Sequence, residues 1–136
     1  MPSNPQHPKR VLIVDAWEVT ADTLETIFTH HGYTARATYK TEDALALAQA
    51  WQPDLLIAEI IMFSMFSDMI GLELARRLKA LYPKCQVILF SGQCAPELQK
   101  EARALGFEFF DKPVNPAVLL DKAASLLDHN GMTALE

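Results

Sequence analysis

The chain has 136 residues, of which 50% are hydrophobic and 21% are charged, and its formal net charge at pH 7 is -5. This length fits one globular domain, and its core needs no disulfide or metal, so Cys85 and Cys94 are expected to be free thiols. The negative charge argues against direct binding to nucleic acid or anionic membranes. No apolar run approaches the roughly 20 residues of a membrane span, and no signal peptide is recognisable, so a cytoplasmic protein is expected.

Strand-like and helix-like segments alternate along the chain between a polar start and a polar end. The strands are predicted from short apolar runs at Val11–Val14, Tyr33–Ala37, Leu55–Ile61, Val87–Phe90 and Phe107–Phe110. The helices are predicted from apolar residues at helical spacing over Ala21–Phe28, Thr41–Trp51, Leu74–Leu81, Pro96–Gly106 and Pro116–Leu127. Residues 1–8 are expected to be a flexible leader, 9–127 the domain and 128–136 a C-terminal tail, which leaves no room for an output domain.

This alternation predicts an α/β fold in which five parallel strands are covered by helices on both faces. The first, third and fourth strands are apolar throughout, as expected for the interior of a sheet, whereas the second is polar and the fifth is short. We therefore predict a flavodoxin-like three-layer sandwich with strand order 2-1-3-4-5 and five helices. In such sheets the functional crevice lies beyond the carboxyl ends of the first and third strands.

A polar residue stands at the end of four of the five predicted strands. These residues are Asp15, Glu59, Ser91 and Lys112. Carboxylates suit a metal ion, while a lysine and a hydroxyl suit anionic oxygens, so the set predicts a site for a phosphoryl group or a cation. The alternative is that strands simply become polar as they reach water.

Nucleotide-binding enzymes of similar topology are disfavoured by the turn after the first strand. It contains neither GxGxxG nor GxxxxGK[ST], so it encodes no backbone cradle for a pyrophosphate. Flavin binding is a further alternative on this topology, although no phosphate-binding Ser/Thr/Gly turn is recognisable.

Four blocks together make the chain, over residues 9–127, resemble the receiver domain of two-component response regulators. The blocks are VLIVD, PDLLIAEI, VILFSG and DKP, which begin at Val11, Pro53, Val87 and Asp111. The resemblance implies a bacterial protein of phosphorelay signal transduction, and not an enzyme. It also implies that acids at the first and third strands bind magnesium and that the third-strand aspartate accepts a phosphoryl group from a histidine kinase.

Three positions agree with what the family implies for phosphoryl contact and switching. Ser91 corresponds to the hydroxyl residue, Lys112 to the lysine and Phe109 to the aromatic switch residue. The resemblance further implies a cis peptide bond before Pro113.

The acidic positions depart from the family. The usual acid pair after the first strand is Asp15 and Ala16, and Glu59 occupies the position of the phosphoacceptor aspartate. The implied metal ligands are then only Asp15 and Glu59, so magnesium binding is expected to be weakened and no cofactor is expected. Glu59 also displaces the carboxylate by one methylene, which impairs a transfer that requires in-line placement.

Three interpretations of Glu59 stay open at this point. Its carboxylate could meet Lys112 and Ser91 and mimic a phosphorylated state, so that the domain is a pseudo-receiver that works without phosphorylation. It could equally form a local ion pair with no switching consequence. In the third interpretation the domain is a magnesium-dependent phosphoacceptor that is still competent.

Two further features bear on partners. Gly71 follows Glu59 by twelve positions where the family typically has eight, which predicts an inserted segment over Met62–Ile70 that is either a lid or a docking surface. Trp17 is hypothesised to fill space beside the pocket. The resemblance implies contact with a histidine kinase, a phosphotransferase, an output protein or a second copy through the face over Pro96–Leu127.

Overall fold

The protein is a five-stranded parallel sheet covered by helices on both faces, as predicted. The computed structural model of the chain describes residues 7–61, 70–92 and 96–132, with side chains through residue 128. The sheet order is β2-β1-β3-β4-β5. Its strands are β1 (Arg10–Val14), β2 (Thr34–Thr38), β3 (Leu55–Glu59), β4 (Gln86–Ser91) and β5 (Glu108–Asp111). Its helices are α1 (Glu18–His30), α2 (Thr41–Trp51), α3 (Gly71–Leu81), α4 (Pro96–Ala104) and α5 (Pro116–Met132).

Two apolar layers hold the helices to the sheet, because alternate residues of each strand face opposite sides. Leu56 and Ala58 of β3 belong to the layer that also contains residues of α2, α3 and α4. Leu55 and Ile57 belong to the layer that contains residues of α1 and α5. Every residue of β3 is buried, which explains why its sequence is an apolar run rather than an alternating one.

The polar strand β2 is an edge of the sheet, as predicted, and side chains fasten its carboxyl end. Thr38 pairs with Val14 of β1, and its hydroxyl donates a hydrogen bond to the carbonyl oxygen of Ile13 at 2.9 Å. The backbone N–H of Ala37 donates to the Glu25 carboxylate of α1 at 2.9 Å. The edge strand is therefore tied both to the sheet and to the helix above it.

Several boundaries differ from the prediction. The third strand ends at Glu59 rather than Ile61, because the backbone N–H of Ile61 donates to the Glu59 carboxylate at 3.1 Å and not to a neighbouring strand. The third helix begins at Gly71, three residues before its first predicted apolar position. The last helix continues beyond Leu127 to Met132, so residues 128–132 are helical rather than part of a tail, since no proline interrupts them.

Parts of the predicted leader and tail, residues 1–6 and 133–136, lie outside the described residues. In the part of the chain that is described, no helix is both long enough and apolar enough to cross a membrane.

Candidate functional site

The four polar residues predicted from the strand ends lie at one edge of the sheet. Asp15 directly follows β1, Glu59 ends β3 and Ser91 ends β4, and these strands are neighbours in the sheet. Lys112 directly follows β5, and its backbone N–H donates to the carbonyl oxygen of Ser91 at 2.9 Å. The parallel topology alone brings these residues together across almost one hundred positions of sequence.

The Lys112 ammonium bridges the two carboxylates of the site. Its Nζ lies 2.7 Å from Oδ2 of Asp15 and 2.8 Å from Oε1 of Glu59. Both acids are buried, with exposed fractions of 2% for Asp15 and 8% for Glu59. One of the interpretations left open by the sequence had the Glu59 carboxylate meet Lys112, whereas the contact of Asp15 with the same ammonium was not foreseen.

The second oxygen of each carboxylate accepts a hydrogen bond from the backbone. Oδ1 of Asp15 accepts from the N–H of Trp17 at 2.9 Å, and Oε2 of Glu59 accepts from the N–H of Ile61 at 3.1 Å. Each of the four carboxylate oxygens therefore has a protein donor. Such full pairing is what makes burial of two ionised acids tolerable.

The surroundings of Lys112 favour its charged form. Burial lowers its pKa, but the hydrogen bonds and negative charges of Asp15 and Glu59 outweigh that effect, and the net result is a raised pKa. The ammonium also lies 4.9 Å from the centre of the Phe90 ring, within the range of a cation–π interaction.

The arrangement does not fit the magnesium ion that the family implies. A hard dication needs several oxygen ligands. The position of the second acid of the family's pair is occupied by Ala16, whose side chain has no oxygen. An ion that bound Oδ2 of Asp15 or Oε1 of Glu59 would compete with the Lys112 ammonium. Among residues 7–61, 70–92 and 96–128, no cluster of three or more His, Cys, Asp or Glu is placed to hold a metal.

The predicted switch residue Phe109 lies on the other side of β5 from the ion pairs. It is half-buried against the apolar layer of α2, α3 and α4, and the Arg103 guanidinium of α4 lies 5.8 Å from its ring centre. Phe109 pairs in register with Leu89, two residues before Ser91. The strand pairing of β4 and β5 therefore connects the aromatic side chain to the charged site.

The peptide bond between Lys112 and Pro113 is cis, as predicted. Next to it, a cavity of about 880 Å³ runs from Asp15 and Glu59 between α1 and the start of α5. Trp17 and Val19 stand along this cavity and are 75% and 73% exposed. The Trp17 indole therefore stands largely in water at the border of the cavity and does not fill it, contrary to the hypothesis, while the Trp17 N–H bonds Asp15.

Two other features of the sequence had been singled out. The predicted insertion, Met62–Ile70, lies outside the described residues except for Ile70, and Cys94 also lies outside them. Cys85 is a free, buried thiol, and burial raises its pKa to about 12.

Phe90 is the site residue that the sequence did not single out. In the sequence it is one more apolar residue of a buried strand, and its contact with Lys112 depends on the register in which β4 pairs with β3 and β5. The signal that would have found it is its position immediately before Ser91, because the pairing sets Phe90 beside Glu59 and Phe110.

Two curated transcriptional regulatory proteins are similar to this chain. The chain is 26% identical over 121 residues to the uncharacterized transcriptional regulatory protein YbdJ of Bacillus subtilis, covering 89% of this chain and 52% of that protein. It is 25% identical over 130 residues to the probable transcriptional regulatory protein TcrX of Mycobacterium tuberculosis, covering 95% of this chain and 54% of that protein. The chain thus spans about half the length of these curated relatives.

Solved structures share the fold over nearly the whole chain. A CheY-like receiver domain protein from Methanospirillum hungatei superimposes with a TM-score of 0.84 at 28% identity, covering 93% of this chain and 98% of that one. The receiver domain of an HD domain-containing protein from Pseudomonas fluorescens gives 0.85 at 23% identity, covering 99% and 98%, a likeness of fold alone. The family model of the response regulator receiver domain matches residues 11–124, and the chain belongs to that family.

Proposed function

We propose that this receiver domain is a protein-interaction module of two-component signal transduction that works without a phosphorylation cycle. The observation that carries the proposal is the Lys112 ammonium, which lies within 2.8 Å of both Asp15 and Glu59. The position of the phosphoacceptor is thus held by a permanent ion pair. We expect no catalytic turnover from this site.

The chemistry of phosphoryl transfer supports this proposal. Transfer to a carboxylate requires an oxygen placed in line with the donor and positive charge to neutralise the transferred group. Oε1 of Glu59 is engaged by Lys112 and Oε2 by the N–H of Ile61. A phosphodonor would have to break one of these interactions. It would also react without the help of a metal-binding carboxylate at position 16, because that residue is alanine.

The negative charge of Glu59 also gives Lys112 an anionic partner that does not depend on a kinase. In the proposed function this permanent contact stands in for a phosphoryl oxygen. The site then has one state, and partner binding is controlled by the amount of the protein rather than by its modification.

The partner is proposed to be another protein: a histidine kinase, a phosphotransferase, an output protein or a second copy. Val118 of α5 and Leu105, which follows α4, are exposed apolar residues of the segment Pro96–Leu127. Exposed apolar area of this kind is typical of interaction sites. Trp17 and Val19 add a second apolar region at the start of α1.

The experiment is to incubate the protein with magnesium and either acetyl phosphate or beryllofluoride. Intact mass would detect a phosphoryl adduct, and NMR would follow the backbone signals of Ser91, Phe109 and Lys112. We expect an unchanged mass and unchanged signals at these residues. A stoichiometric adduct on Glu59 would overturn the proposal.

A matched variant shows that the assay can detect a working site. Glu59→Asp combined with Ala16→Asp restores the two acids that the family uses. We expect this double variant to show magnesium-dependent shifts at the same three residues. If the double variant responds, unchanged signals in the wild-type protein reflect its own site and not a failure of the assay.

A further inference from the structure

We infer that Phe90 is a positioning residue that keeps the Lys112 ammonium on the two carboxylates and so selects against a divalent cation. The inference rests on the proposed function, in which Lys112 closes the site. The inference explains why the two acids hold the Lys112 ammonium in preference to a metal ion. The acids alone do not explain this preference, since carboxylates attract metal ions as well as ammonium groups.

The geometry places the Phe90 ring at the base of the site. Phe90 is 2% exposed and lines the cavity together with Asp15, Glu59 and Lys112. The Lys112 Nζ lies 4.9 Å from its ring centre. Phe90 pairs in register with Glu59, and its carbonyl oxygen accepts the N–H of Ile60 at 2.7 Å, so its backbone is fixed next to the acid.

The chemistry of an aromatic face distinguishes the two kinds of cation. An ammonium is attracted by the negative face of the ring, and this attraction is strongest where water is excluded. Magnesium and manganese ions instead require oxygen ligands in a nearly octahedral arrangement, and a phenyl ring supplies none. Phe90 therefore stabilises the lysine in this position while offering nothing to a competing metal ion.

Three variants separate the ring from the apolar volume that it fills. Phe90→Met removes the aromatic face but keeps a large apolar side chain, and Phe90→Tyr keeps the face. Phe28→Met is the matched control, because Phe28 is a fully buried phenylalanine of the same apolar layer. Phe28 packs against the ring of Tyr33.

The probe is manganese chloride, added to each protein while paramagnetic broadening of the amide signals near Asp15 and Glu59 is followed by NMR. We expect Phe90→Met to bind manganese about tenfold more tightly than the wild-type protein. Phe28→Met and Phe90→Tyr are expected to match the wild type. Equal affinities for Phe90→Met and Phe28→Met would overturn the inference.

A second measurement reports on the lysine itself. The ¹⁵Nζ signal of Lys112 is observable when its protons exchange slowly with water, as expected for an ammonium held by two buried acids. Phe90→Met is expected to accelerate that exchange, and Phe28→Met is expected to leave it unchanged. Unchanged exchange in Phe90→Met would contradict a positioning role even if the protein is less stable.

The two proposals fail in distinguishable ways. A phosphoryl or beryllofluoride adduct on the wild-type protein contradicts the proposed function, whatever the manganese titrations give. An unreactive wild type with equal manganese affinities in all four proteins contradicts only the role of Phe90.

Discussion

The backbone carbonyl of Glu59 lies directly against Gly71, the first residue of α3. A Cβ built on Gly71 would stand 1.8 Å from that carbonyl oxygen, a distance that no side chain can occupy. The helix therefore approaches the end of β3 as closely as it does only because residue 71 has no side chain. The backbone that carries the Glu59 carboxylate is fixed by this contact.

Gly71→Ala is accordingly expected to destabilise the fold by about 1–3 kcal/mol, because backbone on one side must move to admit the methyl group. Urea unfolding measures the loss. Gly92→Ala is the control, since its Cβ would meet the Lys112 side chain at 3.5 Å, an ordinary contact distance. Equal stability of the two variants would show that α3 adjusts freely against β3.

Lys112→Met is expected to destabilise the protein at pH 7.5 by roughly 3 kcal/mol, because it leaves two buried carboxylates without their counter-ion. The folded-state pKa of Lys112 is raised, so its contribution is complete below the unfolded value of about 10.4 and is lost as the pH rises through the folded value. The stability difference between the two proteins should therefore be constant from about pH 7 to 9 and decline above about pH 10.

Taking the difference in unfolding free energy between the wild type and Lys112→Met cancels the effects of other groups that titrate at alkaline pH. The hydrogen bond to Asp22 raises the pKa of Tyr39 to about 12, but both proteins contain this pair. Unfolding in urea at each pH gives the difference. A difference that persists undiminished above pH 12 would mean that the ammonium charge of Lys112 is not what stabilises the acids.

Glu59→Gln tests whether the permanent charge at this position controls Phe109. The change keeps the side-chain size and leaves Asp15 as the only anionic partner of Lys112 among the residues described here. If Glu59 acts as a surrogate phosphoryl group, Phe109 is expected to move outward and to lose its contact with Arg103. Aromatic NMR signals of Phe109 report the movement.

Glu73→Gln serves as the control for that experiment, because the ion pairs of Glu73 within the described part of the chain are exposed and join it to Arg76 and Arg77 of its own helix. Its effect on Phe109 is expected to be negligible. Unchanged Phe109 signals in Glu59→Gln would show that the ion pair of Glu59 is local and has no switching role.

Cys85 is expected to resist thiol reagents in the folded protein, because burial raises its pKa to about 12 and the reactive species is the thiolate. The measurement uses Cys94→Ser, in which Cys85 is the single thiol, with a chromogenic disulfide at pH 8. Labelling should require urea and follow the unfolding transition. Rapid labelling without urea would show local opening at the start of β4.

The sequence predicts the sheet well, because β1, β3 and β4 are apolar runs whose residues must be buried on both faces. It also predicts which side chains meet at the carboxyl edge, since parallel strands all end there. These two rules need no knowledge of side-chain conformation. They account for the approach of Glu59 to Lys112.

The remaining details depend on geometry that spacing does not encode. That one ammonium serves both Asp15 and Glu59 follows from the path of Lys112 after β5, and its contact with Phe90 follows from strand register. Each of these facts involves an orientation of a side chain relative to a residue far away in sequence.

The bond between Ala37 and Glu25 has a consequence for how the molecule behaves in a crowded solution. The N–H of an outer strand is the group on which a foreign strand would begin to pair, and such pairing is a route to aggregation. In this protein that N–H of β2 is already bonded to a carboxylate from α1. A foreign strand that paired at Ala37 would have to displace the Glu25 carboxylate, so the same bond that anchors the edge also opposes strand addition at this position.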